Sequence, residues 1–75
     1  MDFIVPRTND PAEIALAAAE NACRVPLGGD HARFTVLDFV ARAMDALDKV
    51  SRYDDVTHSL VREKIGKAQA RAGWQ

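Results

Sequence analysis

The sequence is poor in the features that mark secreted, membrane-bound or nucleic-acid-binding proteins. It has one cysteine, Cys23, so no disulfide can form within the chain, as is usual in a reducing compartment. Its net charge is −1, which provides no global field to attract nucleic acid or an anionic membrane. No apolar run approaches the roughly 18 residues of a membrane span, and the start of the chain lacks a signal peptide's apolar core. We therefore expect a cytoplasmic protein without membrane contact.

Groups that could carry out chemistry are also scarce. The two histidines, His31 and His58, are far apart in the chain, and no cysteine pair or His-x-x-x-His spacing accompanies them. No arrangement of serine, histidine and acid indicates a catalytic triad, and no carboxylate pair lies in an apolar context. We predict that the chain is not an enzyme and that it uses no metal and no cofactor.

The most informative stretch that is present runs from residue 35 to residue 50 and predicts a helix. At 100° per residue its apolar and charged side chains fall on opposite halves of the helix. Thr35 and Asp38 at its start suggest a capping box. Asp38–Arg42 and Asp45–Lys49 are acid-before-base pairs at i,i+4. The predicted apolar half contains Val36, Leu37, Phe39, Val40, Ala43, Met44, Ala46, Leu47 and Val50.

A second helix is predicted at residues 11–24. Asp10 suits the N-cap, Pro11 suits the first helical position, and Glu13 could complete a capping box. Residues 1–9 precede this helix as an extended arm, because Pro6 interrupts regular structure. The arm's apolar residues include Phe3 and Ile4, which would pack either on the chain's own helices or on a partner.

The remaining segments predict a loop and a third helix. Pro26 blocks continuation of the first helix, and Gly28 and Gly29 are free to adopt positive φ. Asp54 or Asp55 could cap a helix over residues 56–72, with Gly73 as its stop. A single continuous helix over residues 35–72 is the alternative, because no glycine or proline separates the two segments.

These elements predict an all-α fold: residues 10–75 form one small helical hairpin or three-helix domain behind the arm. The apolar half of the middle helix is wider than one short helix covers, so we expect a dimer or higher oligomer with the middle helices near its axis. The core and oligomer contacts are assigned to Phe39, Val40, Met44 and Leu47.

A basic stripe in the last helix consists of Lys64, Lys67 and Arg71. It could be a solvated face, a surface for an acidic protein, or a weak contact for nucleic acid or nucleotide phosphate. Trp74 follows it and would either dock onto the helices or remain exposed. The candidate partner-binding residues are Phe3, Ile4, Lys64, Lys67, Arg71 and Trp74.

The passage from residue 26 to residue 40 resembles the helical-hairpin sponge proteins of anti-CBASS type, which phages use against cyclic-oligonucleotide immune signalling. The matching features are Pro26, Arg33 before the helix, and the Thr35-x-Leu37-Asp38 start. The resemblance implies a small helical oligomer that binds cyclic di- or trinucleotides between subunits, with Arg33 and Thr35 as phosphate contacts. The chain departs from those proteins in lacking their aromatic residue midway along the helix.

Three functional hypotheses follow. The first is a non-catalytic protein–protein interaction module, such as a small inhibitor or adaptor encoded by a phage or mobile element, whose partner is another protein. The second is an oligomeric sponge for cyclic nucleotides. The third is a small DNA-binding regulator, although the near-neutral charge disfavours it.

Overall fold

The computed structural model describes residues 3–73 and shows an all-α fold in that range. The helices are α1 (Pro11–Arg24), α2 (Ala32–Leu47) and α3 (Asp55–Arg71). Helix α1 packs against both α2 and α3, and α2 also contacts α3. The expected three-helix, all-α class is confirmed, and the alternative of one continuous helix over residues 35–72 is wrong.

Helix α1 begins where the sequence predicts, but its cap differs. The carboxylate of Asp10 accepts a hydrogen bond from the backbone N–H of Ala12 at 3.1 Å, and Pro11 occupies the first helical position. Glu13 does not close a capping box onto Asp10. Its carboxylate instead reaches further back, accepting the backbone N–H of Arg7 at 3.4 Å and the hydroxyl of Thr8 at 2.6 Å. These two bonds lower the pKa of Glu13 and fix the turn that leads from the arm into α1.

The loop after α1 follows from Pro26, not from the glycine pair. Val25, which precedes the proline, is extended with φ −61° and ψ 126°, because a residue before proline avoids the helical region. In the described part of the chain, Gly73 is the residue with positive φ (82°), so Gly28 and Gly29 do not use the freedom that we expected them to use. Gly73 follows Ala72, the C-cap residue of α3, and lies where the sequence predicted the stop of this helix.

Helix α2 lies three residues earlier than predicted, and its expected cap is wrong. His31 is the N-cap and makes no side-chain capping bond. Thr35 is inside the helix, where its hydroxyl donates to the carbonyl of His31 at 3.1 Å. Asp38 pairs with Arg42 at 3.1 Å and takes no part in capping. At the other end, Lys49 and Val50 donate to carbonyls three residues back, which tightens the chain into a turn.

Helix α3 has Asp54 as its N-cap, after the turn that ends α2. The carboxylate of Asp54 accepts the backbone N–H of Thr57 at 3.1 Å and the Thr57 hydroxyl at 2.6 Å. Both bonds favour the ionised carboxylate, and they lower the pKa of Asp54. Asp54 therefore starts a new helix where Ser51, Arg52 and Tyr53 offer no core residue to continue the old one.

The core is built from small side chains on α1 and branched ones on its neighbours. Ala15, Ala19 and Ala22 are fully buried, which lets the backbones of α2 and α3 approach α1 closely. Val36 and Val61 are the largest side chains that are fully buried in the described chain. Val40 and Leu47 belong to this core as predicted, whereas Phe39 is only partly buried against it.

Candidate interaction surface

The predicted basic stripe is largely engaged within the chain. The ammonium group of Lys64 bonds Glu20 on α1, and each side chain of this pair is about one third exposed. Lys67 pairs with Glu63 on the same helix at 3.2 Å. The stripe is therefore not an array of unpaired cations, and its Lys64 end joins α3 to α1.

The Lys64–Glu20 contact changes the ionisation of both groups. Hydrogen bonding to Lys64 lowers the pKa of Glu20, and burial opposes this effect only in part. Hydrogen bonding to Glu20 raises the pKa of Lys64 for the same reason. The backbone carbonyl of Lys64 also accepts the thiol of Cys23 at 3.2 Å. This set of contacts explains why Cys23, which the sequence places beside small alanines, lies half-buried at the α1–α3 contact.

Arg71 caps the end of α1, not only the end of its own helix. Its guanidinium donates to the carbonyl of Cys23 and, at 3.0 Å, to the carbonyl of Val25. The last carbonyls of a helix have no partner within it, and a cation there is favourable. Arg71 therefore acts as a structural clamp that joins the end of α3 to the end of α1.

The apolar arm is held against α1 and α2 at two points. The ring of Phe3 lies 5.0 Å from that of Phe39, at an interplanar angle of 53°. The backbone N–H and carbonyl of Ile4 both pair with the side chain of Asn21, at 2.7 and 2.8 Å. Phe3 and Ile4 each remain 39% exposed. Packing on the chain's own helices thus covers part of the arm, and Trp74 lies outside the described residues.

A cleft of about 280 Å³ lies where the arm crosses the helices. Its walls are apolar apart from Asn21 and Arg42, and it is lined by Phe3, Ile4, Val5, Pro6, Ile14, Ala17, Ala18, Asn21, Phe39 and Arg42. The guanidinium of Arg42 lies 5.8 Å from the centre of the Phe39 ring. The arm itself forms one wall, so the cleft depends on the Ile4–Asn21 pairing.

The phosphate contacts implied by the sponge-protein resemblance lie on different sides of α2 within one copy of the chain. Arg33 and Thr35 are two positions apart within α2, so their side chains leave the helix about 160° apart. The Thr35 hydroxyl also donates to the chain's own backbone, at the carbonyl of His31. One bound phosphate would therefore not contact both residues on a single copy of the chain.

The largest exposed apolar feature of α2 is a row on its outer side. Phe34 is 70% exposed, Leu37 is 50% exposed and Met44 is 54% exposed, and the exposed Ala41 lies between the last two. These four residues, which we call the outer row, occupy an arc of about 80° on the helix surface. Met44 is therefore outside the single-chain core, and its assignment as an oligomer contact stays a prediction.

A shallow groove between α2 and α3 adjoins the Met44 end of the outer row. It measures about 410 Å³, and its apolar walls come from Met44, Leu47 and Ile65. Gly66 also lines it, and a methyl group added there would meet nothing within 4 Å. Arg62 and Asp48 lie at its polar edges. The apolar walls of this groove thus extend from Met44 on α2 to the largely buried Leu47 and Ile65.

The outer row was not predicted from the sequence, because periodicity alone places every apolar residue of the middle helix on one half. Phe34 lay outside the predicted helix, so the row was incomplete. The spacing of Phe34, Leu37, Ala41 and Met44 is 3, 4 and 3 residues, the pattern of a seam between paired helices. Starting the helix at residue 32 would have revealed it.

The other predicted sites do not bring potential metal-binding groups together within the described residues. His58 contacts the backbone carbonyl of Ser51 at 3.2 Å, and within residues 3–73 no three histidine, cysteine or acidic residues are grouped as metal ligands would be. None of the helices between residues 3 and 73 is both long and apolar enough to cross a membrane. Comparisons with protein-family models, curated proteins and solved structures found no match.

Proposed function

We propose that this protein is a non-catalytic protein–protein interaction module, of the kind that serves as a small inhibitor or adaptor, and that the outer row of α2 is its binding surface. The observation that supports this proposal is the exposure of Phe34, Leu37 and Met44 along one line of one helix. Isolated exposed apolar residues are ordinary on protein surfaces, whereas a contiguous apolar row with polar edges is typical of interaction sites.

The charged residues beside the row fit the same role. Asp38 and Arg42 pair at 3.1 Å, and Asp45 and Lys49 pair at 4.0 Å, with side chains that are 58–78% exposed. An apolar centre with a charged, solvated rim is the usual composition of a protein interface. Charges at the rim contribute little affinity but select orientation and partner.

The other candidate surfaces support this role less strongly. Lys64 and Arg71 are engaged with α1, so substituting them would disturb the fold along with any binding. Phe3 and Ile4 are partly covered by Phe39 and Asn21. The residues of the outer row, by contrast, can be changed with little effect on the packing of a single chain.

Self-association is part of this proposal. Helix α2 has one face in the core of its own chain and a second apolar row outside it, so the helix can pair with another copy while the domain remains folded. A dimer formed in this way would place the two α2 helices near its axis.

The proposal is tested by placing a charge in the row. Leu37→Glu should abolish capture of the partner protein from extracts of cells that naturally contain this chain, as measured by affinity purification and mass spectrometry. Leu60→Glu is the matched control, because Leu60 on α3 is 40% exposed and lies outside the row. Equal capture by the wild-type chain and Leu37→Glu would disprove the proposed surface.

Native mass spectrometry of the purified protein separates this proposal from the ligand-binding alternative. An interaction module should carry a stoichiometric second protein or a second copy. A retained nucleotide mass, lost on substitution of Arg33, would instead favour a nucleotide sponge.

A further inference from the structure

The intervals between residues of the outer row are the same whether they are counted from the N-terminal or the C-terminal end of α2. Phe34, Leu37, Ala41 and Met44 are separated by 3, 4 and 3 residues, so the midpoint of the row falls at position 39. A two-fold interface needs such self-complementarity, because each contact in it occurs twice. Resting on the proposed function, we infer that the row binds the same row of a second copy of this chain, with the two α2 helices antiparallel.

Side-chain sizes favour the antiparallel orientation. A two-fold axis at the midpoint places Leu37 against Ala41 of the second copy, so that a large side chain faces a small one. It also places Phe34 against Met44 of the second copy, and a thioether beside an aromatic ring is a favourable contact. In a parallel pair each residue would meet its own equivalent, and two Ala41 side chains would leave a gap in the middle of the seam.

Disulfide trapping tests the orientation directly. In a Cys23→Ser background, Phe34→Cys and Met44→Cys are made as separate proteins, oxidised alone and as an equimolar mixture, and examined by non-reducing electrophoresis and mass spectrometry. The antiparallel dimer should give a covalent product only in the mixture. In that dimer, two copies of position 34 are offset by about 15 Å along the helix axis and cannot be bridged.

The other outcomes overturn the inference. Covalent dimers of each variant alone would show a parallel pair. The unmodified chain should sediment as a dimer in the micromolar range, and Leu37→Glu should sediment as a monomer. A chain that sediments only as a monomer, or a dimer that survives Leu37→Glu, would show that a second copy does not cover the row. Loss of partner capture on Leu37→Glu would then still support the proposed function, so the two failures are distinguishable.

Discussion

The side-chain amide of Asn21 pairs with both backbone groups of Ile4, accepting its N–H at 2.7 Å and donating to its carbonyl at 2.8 Å. Asn21 is 5% exposed, and it makes these bonds from the last turn of α1 to a segment 17 residues away in the sequence. An asparagine buried among alanines would be costly without partners, and the backbone of the arm provides both of them.

Replacing Asn21 should therefore release the arm. Asn21→Leu removes both hydrogen bonds and leaves the half-buried backbone of Ile4 without them, which should cost about 1–3 kcal/mol in the free energy of unfolding. Urea denaturation measures this loss, and hydrogen exchange of the Ile4 amide reports the release of the arm. Asn9→Ala, at an exposed position outside this pairing, is the control and should change stability by less than about 0.5 kcal/mol. Unchanged amide protection in Asn21→Leu would contradict the assigned role.

The Glu20–Lys64 pair predicts how stability depends on pH. The folded-state pKa of Glu20 is lowered from 4.5, so its contribution is present above that value and is lost as the pH falls through the lowered pKa. The folded-state pKa of Lys64 is raised from 10.5, so its contribution is present below that value and is lost as the pH rises through the raised pKa. Stability should therefore fall at both extremes.

Lys64→Met is the variant that tests this pair. It should destabilise the fold by about 1 kcal/mol near neutral pH, at the low end for a charged hydrogen bond because solvent partly screens it. It should also flatten the pH dependence, measured as urea midpoints across the pH range. Lys67→Met, which breaks only the exposed pair with Glu63, is the matched control and should cost about 0.3–0.5 kcal/mol. Equal effects of the two variants would refute the special role of Lys64.

Gly66 inside α3 and Gly73 just beyond its C-cap should respond in opposite directions to the same substitution. Gly66 is inside the helix with nothing within 4 Å of an added methyl group, so Gly66→Ala should stabilise the chain by about 0.5–1 kcal/mol. Gly73 has φ +82°, so Gly73→Ala should destabilise it by about 1 kcal/mol. Thermal unfolding followed by circular dichroism measures both effects, and a shift of the same sign in both variants would contradict this description of the helix end.

Two valines on α3 provide a test of the core. Val61 is fully buried and Val56 is 70% exposed, and both substitutions make the same change within one helix. Val61→Ala should cost about 1.5–3 kcal/mol, because it removes buried methyl groups and leaves a cavity. Val56→Ala should stay within about 0.5 kcal/mol of the wild type. Urea denaturation of the two variants gives the comparison, and similar losses would mean that α3 packs through a different face.

The helices could be predicted from the sequence because local signals determine them. Asp10 and Pro11 start α1, Pro26 ends the helix by restricting Val25, and Asp54 starts α3. The predicted start of α2 was wrong because the N-cap residue, His31, makes no side-chain capping bond. Thr35 is a residue type that often caps helices, so the start was placed there although Thr35 lies inside the helix.

Contacts between distant residues could not be predicted in this way. The sequence does not indicate that Lys64 finds Glu20, that Arg71 reaches the end of α1, or that Asn21 holds Ile4. These pairings depend on how the helices pack, since each joins residues at least 17 positions apart. The outer row was missed for a related reason: periodicity shows that residues share a side of a helix, but not which side the rest of the chain covers.

The alanine-lined surface of α1 also limits how the sequence could diverge. Ala15, Ala19 and Ala22 have no exposed surface, and neighbouring helices lie directly against them. Growth of a side chain at any of these positions would push α2 or α3 outward and break the long-range clamps together. Sequence drift in relatives that retain this fold should therefore be concentrated on the solvent side of α1, while the contact side remains restricted to the smallest residues.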